Sequence, residues 1–272
     1  MKKFYKLLLL LLIHNYCSAN PKIVVSITPI ASIVSMLLGQ EAEIISLANS
    51  NGCPHQHAAK LSDLNNIKNS DISIYIDKQF DHFAAKLMSE HAKEIIVIGD
   101  IDELKITYNN NVPNLHLWLD LSNVKCMLKQ LSSIFIKQFP KLEQHITKNL
   151  NDSIIKIDNL AATKNNVLSN SSQVMLFSDS LEYFFNYNHN VIISNYSLSK
   201  NISYVNTFRD ILEKNSHLKC FVFSAEQDTT FYNQYNKKIV KLQSENWQLS
   251  KDLSELYFIK YTEMIKLIEQ CQ

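Results

Sequence analysis

Residues Lys141–Thr163, KLEQHITKNLNDSIIKIDNLAAT, decide the architecture. Leu142, Ile146, Leu150, Ile154, Ile157 and Leu160 recur at steps of three and four, which places them on one face of a helix. At about 1.5 Å per residue that helix exceeds roughly 30 Å, the width of a small domain. Pro140 stops the amphipathic stretch before it, Ser122–Gln138, and no Gly-rich or Pro-rich hinge is visible. The segment reads as one rigid connector between two lobes.

On its N-terminal side the β-branched runs Ile23–Ile27, Glu43–Leu47, Ile72–Ile76 and Ile95–Ile98 alternate with helix candidates at Ile30–Leu38, Ala59–Lys68 and Phe80–His91. On its C-terminal side strands at Val174–Phe177, Val191–Ser194, Cys220–Phe223 and Ile239–Leu242 alternate with helices at Ser180–Tyr187, Tyr204–Asn215 and Ser254–Ile268. This alternation predicts an α/β fold of two βα lobes, each with a four-stranded parallel sheet. The expected divisions are a leader at 1–19, a first lobe at 20–140, the connector at 141–165 and a second lobe at 166–272.

The leader reads as a secretory signal peptide: Lys2, Lys3 and Lys6, then the apolar run Leu7–Ile13, then Cys17-Ser18-Ala19 as a small-residue cleavage site. Cleavage near Ala19 would place the mature chain in the periplasm, and the apolar run is too short to span a bilayer, which takes about 20 residues. The alternative is a lipoprotein signal acylated at Cys17. Export makes Cys53, Cys126, Cys220 and Cys271 candidate bridge partners, and four cysteines allow three pairings. A bridge from Cys220 to Cys271 would tie the last helix onto the second lobe; Cys53 and Cys126 are left as a possible pair.

With 27 basic against 26 acidic residues in 272, the formal charge is +1 and no block of like charge stands out. Nothing therefore favours nucleic acid or an anionic membrane as partner. Gly39, Gly52 and Gly99 are the three glycines, too scattered to build a phosphate-cradling loop. No Ser/His/Asp order, paired-carboxylate motif or HExxH helix supports an enzyme. The abundant asparagine, including Asn109-Asn110-Asn111, reads as compositional drift.

Two loops carry chemistry. In Asn51-Gly52-Cys53-Pro54-His55-Gln56-His57, a neutral imidazole directly after a strand is a normal zinc or manganese ligand, and Pro54 limits the backbone beside His55. His57 either shares the ion or points away, and Cys53 is a soft ligand, a small buried residue or a disulfide partner. His116, set among Leu115, Leu117 and Trp118 after Pro113, is a second ligand or a core histidine held by a carbonyl. His82, His91, His145, His189 and His217 read as solvated. Loops after parallel strands, carrying His55, Ser178-Asp179 and Glu245, collect at the cleft between lobes.

These segments together resemble a known family. Ile27-Thr28-Pro29-Ile30, Cys53-Pro54-His55 with Leu61-Ser62-Asp63, His116-Leu117-Trp118-Leu119, and Phe177-Ser178-Asp179 with Tyr183-Phe184 are similar to the ZnuA-like zinc-binding proteins of zinc and manganese ABC importers. The resemblance covers nearly the whole mature chain. It implies zinc, or alternatively manganese, held in the interlobe cleft by a monomer and delivered to an inner-membrane ABC permease. It places ligands at His55 and His116 and a carboxylate at Glu245 or beside it at Asn246, and it pairs Cys220 with Cys271. The family's third histidine falls on Ser178, a poor zinc ligand, so His57 or Asp179 is the expected replacement donor. The histidine-rich loop often found before the second ligand is absent from Asp102–Pro113, and the usual Glu-Pro pattern is disturbed at Glu226. Two other functions stay open: a degenerate scaffold that has lost its ion and acts as an adhesin or interaction protein, and a metal-dependent hydrolase.

Overall fold

The computed structural model describes residues 20–48, 57, 60–109, 111–185, 191–193 and 202–272. The predicted leader, Cys53 and His55 lie outside the described residues.

Alternating β-branched and aliphatic residues form β1 (Lys22–Ile27), β2 (Glu43–Ala48), β3 (Ile72–Tyr75) and β4 (Ile95–Val97). They pair in the order β2-β1-β3-β4, all parallel, with Val24 opposite Ile45 and Ser73 in register. The second sheet, of β7 (Gln173–Leu176), β8 (Val191–Ile193), β9 (Leu218–Ser224) and β10 (Lys238–Leu242), has the order β10-β9-β7-β8 and is again parallel. Two four-stranded parallel sheets are what the alternation predicts. A short hairpin was not foreseen: β5 (Thr107–Asn109) runs antiparallel to β6 (Val112–Asn114). Asn109, from the run set aside as drift, ends β5, and Asn111 sits at φ 64°, a left-handed conformation that Asn tolerates better than most residues.

The helices are α1 (Thr28–Leu38), α2 (Leu61–Asn69), α3 (His82–His91), α4 (Leu121–Gln138), α5 (Glu143–Asn170), α6 (Glu182–Phe185), α7 (Ile202–Lys214) and α8 (Leu253–Glu269). The connector α5 is 28 residues long and extends past the predicted end at Thr163. Beyond Thr163 the polar run Lys164-Asn165-Asn166 looks like a stop, but Lys164, Val167 and Leu168 are buried and carry the inner face onward. Every residue of α1 is buried, as an all-round apolar helix requires. It is covered by α5 on one side and by the last helix, α8, on another. Helix α8, in the second half of the sequence, thus packs on the first helix of the chain, and one apolar core runs from Ile23 to Cys271.

Buried hydrogen bonds lock the halves together. Trp118 Nε1 donates to the Ser244 carbonyl at 2.8 Å, and the Tyr257 and Tyr261 hydroxyls donate to the carbonyls of Trp118 and Leu119 at 2.6 and 2.8 Å. His145 is not a solvated residue: its Nε2 lies 3.1 Å from the Leu38 carbonyl, fixing α5 to the end of α1. Cys220 and Cys271 form a disulfide, the pairing implied by the resemblance. Cys126 carries a free thiol that donates to the Asp102 carbonyl at 3.1 Å.

Asp81, wholly buried at the start of α3, joins the carboxyl ends of two strands: its Oδ2 accepts from Ser26 Oγ at 2.7 Å and from the Ile76 amide at 2.6 Å. Its Oδ1 is buried without a hydrogen-bond partner among the described residues. Burial pushes this carboxyl up from 3.8 to about 6, against the two hydrogen bonds that favour the anion. The folded state therefore holds the proton more tightly than the unfolded state, and stability falls as pH rises from about 4 to about 6. Above that window the penalty is on the order of 3 kcal/mol. In urea unfolding, the stability difference between the native chain and Asp81→Asn is expected to shift by that order between pH 4.5 and 7; a constant difference would contradict it.

Candidate functional site

The site begins with β6, which ends at Asn114 and delivers His116 into the gap between the sheets. The Asn114 side chain is buried and bound at both ends. Its Nδ2 donates to the Asp179 carbonyl at 2.8 Å, which turns its Oδ1 toward His116. That oxygen lies 2.9 Å from His116 Nδ1 and also accepts the His116 amide at 3.2 Å. With Nδ1 donating to an amide oxygen, Nε2 is the nitrogen left to meet a ligand.

His116 Nε2 faces Glu245 Oε1 at 2.8 Å, across 129 positions of sequence. Both side chains are largely buried, at 12% and 13% exposure, so the pair sits where water screens it little. Glu245 follows β10, in a loop pinned by the bond from Trp118 Nε1 to the Ser244 carbonyl and by buried Trp247 against Tyr257. Phe80 and Trp118 wall the imidazole, with ring centroids 5.2 and 5.3 Å away. Asn114 Oδ1 and Glu245 Oε1 thus lie on opposite edges of the ring, one beside each nitrogen. A divalent cation can take the place of the hydrogen between Nε2 and the carboxylate.

Of Glu245 and Asn246, Glu245 is the one that reaches the imidazole. Asn246 Nδ2 donates to Glu226 Oε1 at 3.3 Å, away from the imidazole, while Glu245 reaches it. Asp179 opens a 3-10 turn after β7 and lines, with Phe80, Asn114 and His116, a small cleft of about 150 Å³. Ser178, at the family's histidine position, spends its hydroxyl on Ser180 at 2.7 Å. Ser180 continues to Ser244 at 3.4 Å, so the serine stitches the β7 and β10 loops together.

His57 makes its described contacts at the start of α2. Its Nε2 lies 3.2 Å from Asp63 Oδ2 and its ring packs on Phe83 at 4.8 Å. Asp63 also accepts the Lys60 amide at 2.9 Å, so His57 is committed to the start of α2. Among the described residues no three His, Cys, Asp or Glu side chains gather closely enough to hold a metal, which keeps His57 apart from the His116–Glu245 pair. Asn114 carried no functional signal of its own in the sequence, and Tyr183 entered only through the family resemblance. Tyr183 accepts the Thr107 amide at 2.9 Å and donates to the Asn114 carbonyl at 2.8 Å, fixing the hairpin that carries His116. The only prior signal for Asn114 was its place two residues before a candidate ligand.

Comparison with known proteins agrees with this architecture. The chain is 39% identical over 275 residues to the uncharacterized protein RP014 of Rickettsia prowazekii (strain Madrid E), covering 98% of this chain and 90% of that one. Its fold is similar to the periplasmic zinc binding protein TroA from Treponema pallidum, with a TM-score of 0.77 at 13% identity over 93% of this chain and 99% of the other. It is likewise similar to the substrate-binding protein FpvC from Pseudomonas aeruginosa, solved with Mn2+, with a TM-score of 0.75 at 16% identity over 92% and 97% of the two chains. The family model of ZnuA, the zinc-uptake complex component A, periplasmic, matches residues 23–269, and the chain belongs to that family.

Proposed function

We propose that this chain is an extracytoplasmic substrate-binding protein that captures a divalent metal, zinc, in the interlobe cleft and hands it to an inner-membrane ABC permease. The single observation that supports this most is the His116–Glu245 pair, an imidazole oriented by Asn114 and set 2.8 Å from a half-enclosed carboxylate. His55, from the loop after β2, is the proposed third donor, and Asp179 at the rim is the proposed replacement for the family's histidine. Two imidazoles with carboxylate oxygen suit zinc, and manganese is the alternative ion. Capture and release need no bond broken in a substrate, so no nucleophile or general base is assigned.

Zinc titrated calorimetrically against a competing chelator is expected to bind one to one, and more tightly than manganese. No binding above background would instead support a scaffold that has lost its ion and works through a protein partner, the reading favoured by Ser178 being tied to Ser180. A finer test addresses Asn114. Partners that orient a metal-bound imidazole are worth about 10–100-fold in affinity, so Asn114→Ala should weaken zinc by that factor. Unchanged affinity in this variant would mean that His116 is not held by its Nδ1.

A further inference from the structure

A second cleft of about 360 Å³ lies away from the His116–Glu245 pair, where the connector α5 crosses the start of α4. Its walls carry Lys105, Thr107, Asp120, Lys125, Lys164 and Tyr183. Three lysines face one aspartate there. That volume falls in the range of about 300–1,000 Å³ typical of small-molecule sites.

Two of these groups lack what burial normally demands. Lys164 is only 1% exposed, yet no carboxylate or hydrogen-bond acceptor lies within bonding distance among the described residues; its ammonium has the Phe184 ring at 5.9 Å and Asp120 as a more distant opposite charge. Burial pulls its amine down from 10.5 to about 8, with Asp120 working against that shift. Lys164 is thus a buried cation with only the distant Asp120 as counter-charge among the described residues. Thr107 Oγ1 is a buried hydroxyl with no hydrogen-bond partner among the described residues. Buried charges and hydroxyls are ordinarily paired, because leaving them bare costs free energy.

The nearest carboxylate is already in use. Asp120 Oδ1 caps α4, accepting from the Ser122 amide and Ser122 Oγ at 2.6 Å each and from the Asn123 amide at 3.4 Å. Lys125 reaches outward to Asp158 at 2.7 Å, an exposed pair of the kind that contributes little. Lys105 makes no ion pair among the described residues, and its exposed side chain stands at the cleft mouth.

We propose that this cleft is a binding site for a small oxyanion, carboxylate or phosphate, seated on the Lys164 ammonium, receiving the Thr107 hydroxyl as donor and covered by Lys105. Such an anion supplies the missing counter-charge and acceptor at once. Asp120 sets its limit, disfavouring a second anionic group on that side.

The test is thermal unfolding of the purified chain in inorganic phosphate, in acetate and in chloride at matched ionic strength. Phosphate or acetate is expected to raise the unfolding temperature saturably where chloride does not, and the more effective of the two identifies the head group. Lys164→Met keeps the volume and removes the buried charge, so it should fold; it is expected to weaken the response tenfold or more. Thr107→Val should weaken it less, and Lys125→Gln little. Equal effects of all three salts, or a full response retained by Lys164→Met, would overturn the site and leave the cleft as water-filled space. Zinc binding is read separately, so failure of this proposal leaves the metal reading intact.

Discussion

Replacing His116 by alanine is expected to lower zinc affinity by at least about 100-fold while the chain stays folded. The imidazole approaches the proposed metal position from a hairpin held independently of it, by Tyr183 on Thr107 and Asn114. Its removal leaves that frame intact. Structural zinc sites release about 10–16 kcal/mol over some four ligands, so one ligand is worth roughly 3 kcal/mol, or two decades in affinity. Glu245→Ala should fall in the same range, because Glu245 is the described carboxylate within reach of His116 Nε2. His57→Ala should leave zinc binding unchanged, since its partners are Asp63 and Phe83. Chelator competition with these variants separates the two loops. Equal losses for His57 and His116 would mean that the bound state draws the α2 loop into the site.

The second large effect belongs to the disulfide. Cys220 and Cys271 are 51 positions apart and both are buried, joining β9 to the second residue beyond α8. A cross-link closing a loop of that length is worth about 4 kcal/mol through the entropy of the unfolded chain. Global stabilities run to roughly 5–15 kcal/mol, so the loss would be a large share of the whole. Helix α8 also supplies Tyr257 and Tyr261 to the Trp118 segment, so loosening it reaches the His116 loop. The double variant Cys220→Ala with Cys271→Ala avoids burying new hydroxyls and should show the full cost in urea unfolding. A loss below about 1 kcal/mol would mean that packing alone holds α8 in place.

What could be read in advance followed the strength of the local signal. The β-branched runs and the stripe from Leu142 to Leu160 are long and periodic, and both sheets and the connector formed where that pattern lies. The end of the connector was misjudged because Lys164-Asn165-Asn166 is locally polar, while its packing depends on distant Phe184 and Asp120. The hairpin was missed for a related reason: strands of three residues have no periodicity to detect, and Asn111 signals a turn only once its positive φ is known. His116 was legible as an imidazole among apolar residues after Pro113, and Glu245 as a carboxylate in the loop after a strand. Their meeting across 129 positions, and the Asn114 amide that aims the imidazole, arise only from the fold. His57 was legible as a histidine but not as the partner of Asp63, which is a choice made by α2.

The most direct measurement is anomalous diffraction at the zinc edge from crystals of the zinc-loaded chain. One strong peak is expected between His116 Nε2 and the Glu245 carboxylate, about 2.0–2.2 Å from each. A peak at another site, or none at that pair in a fully loaded crystal, would contradict it.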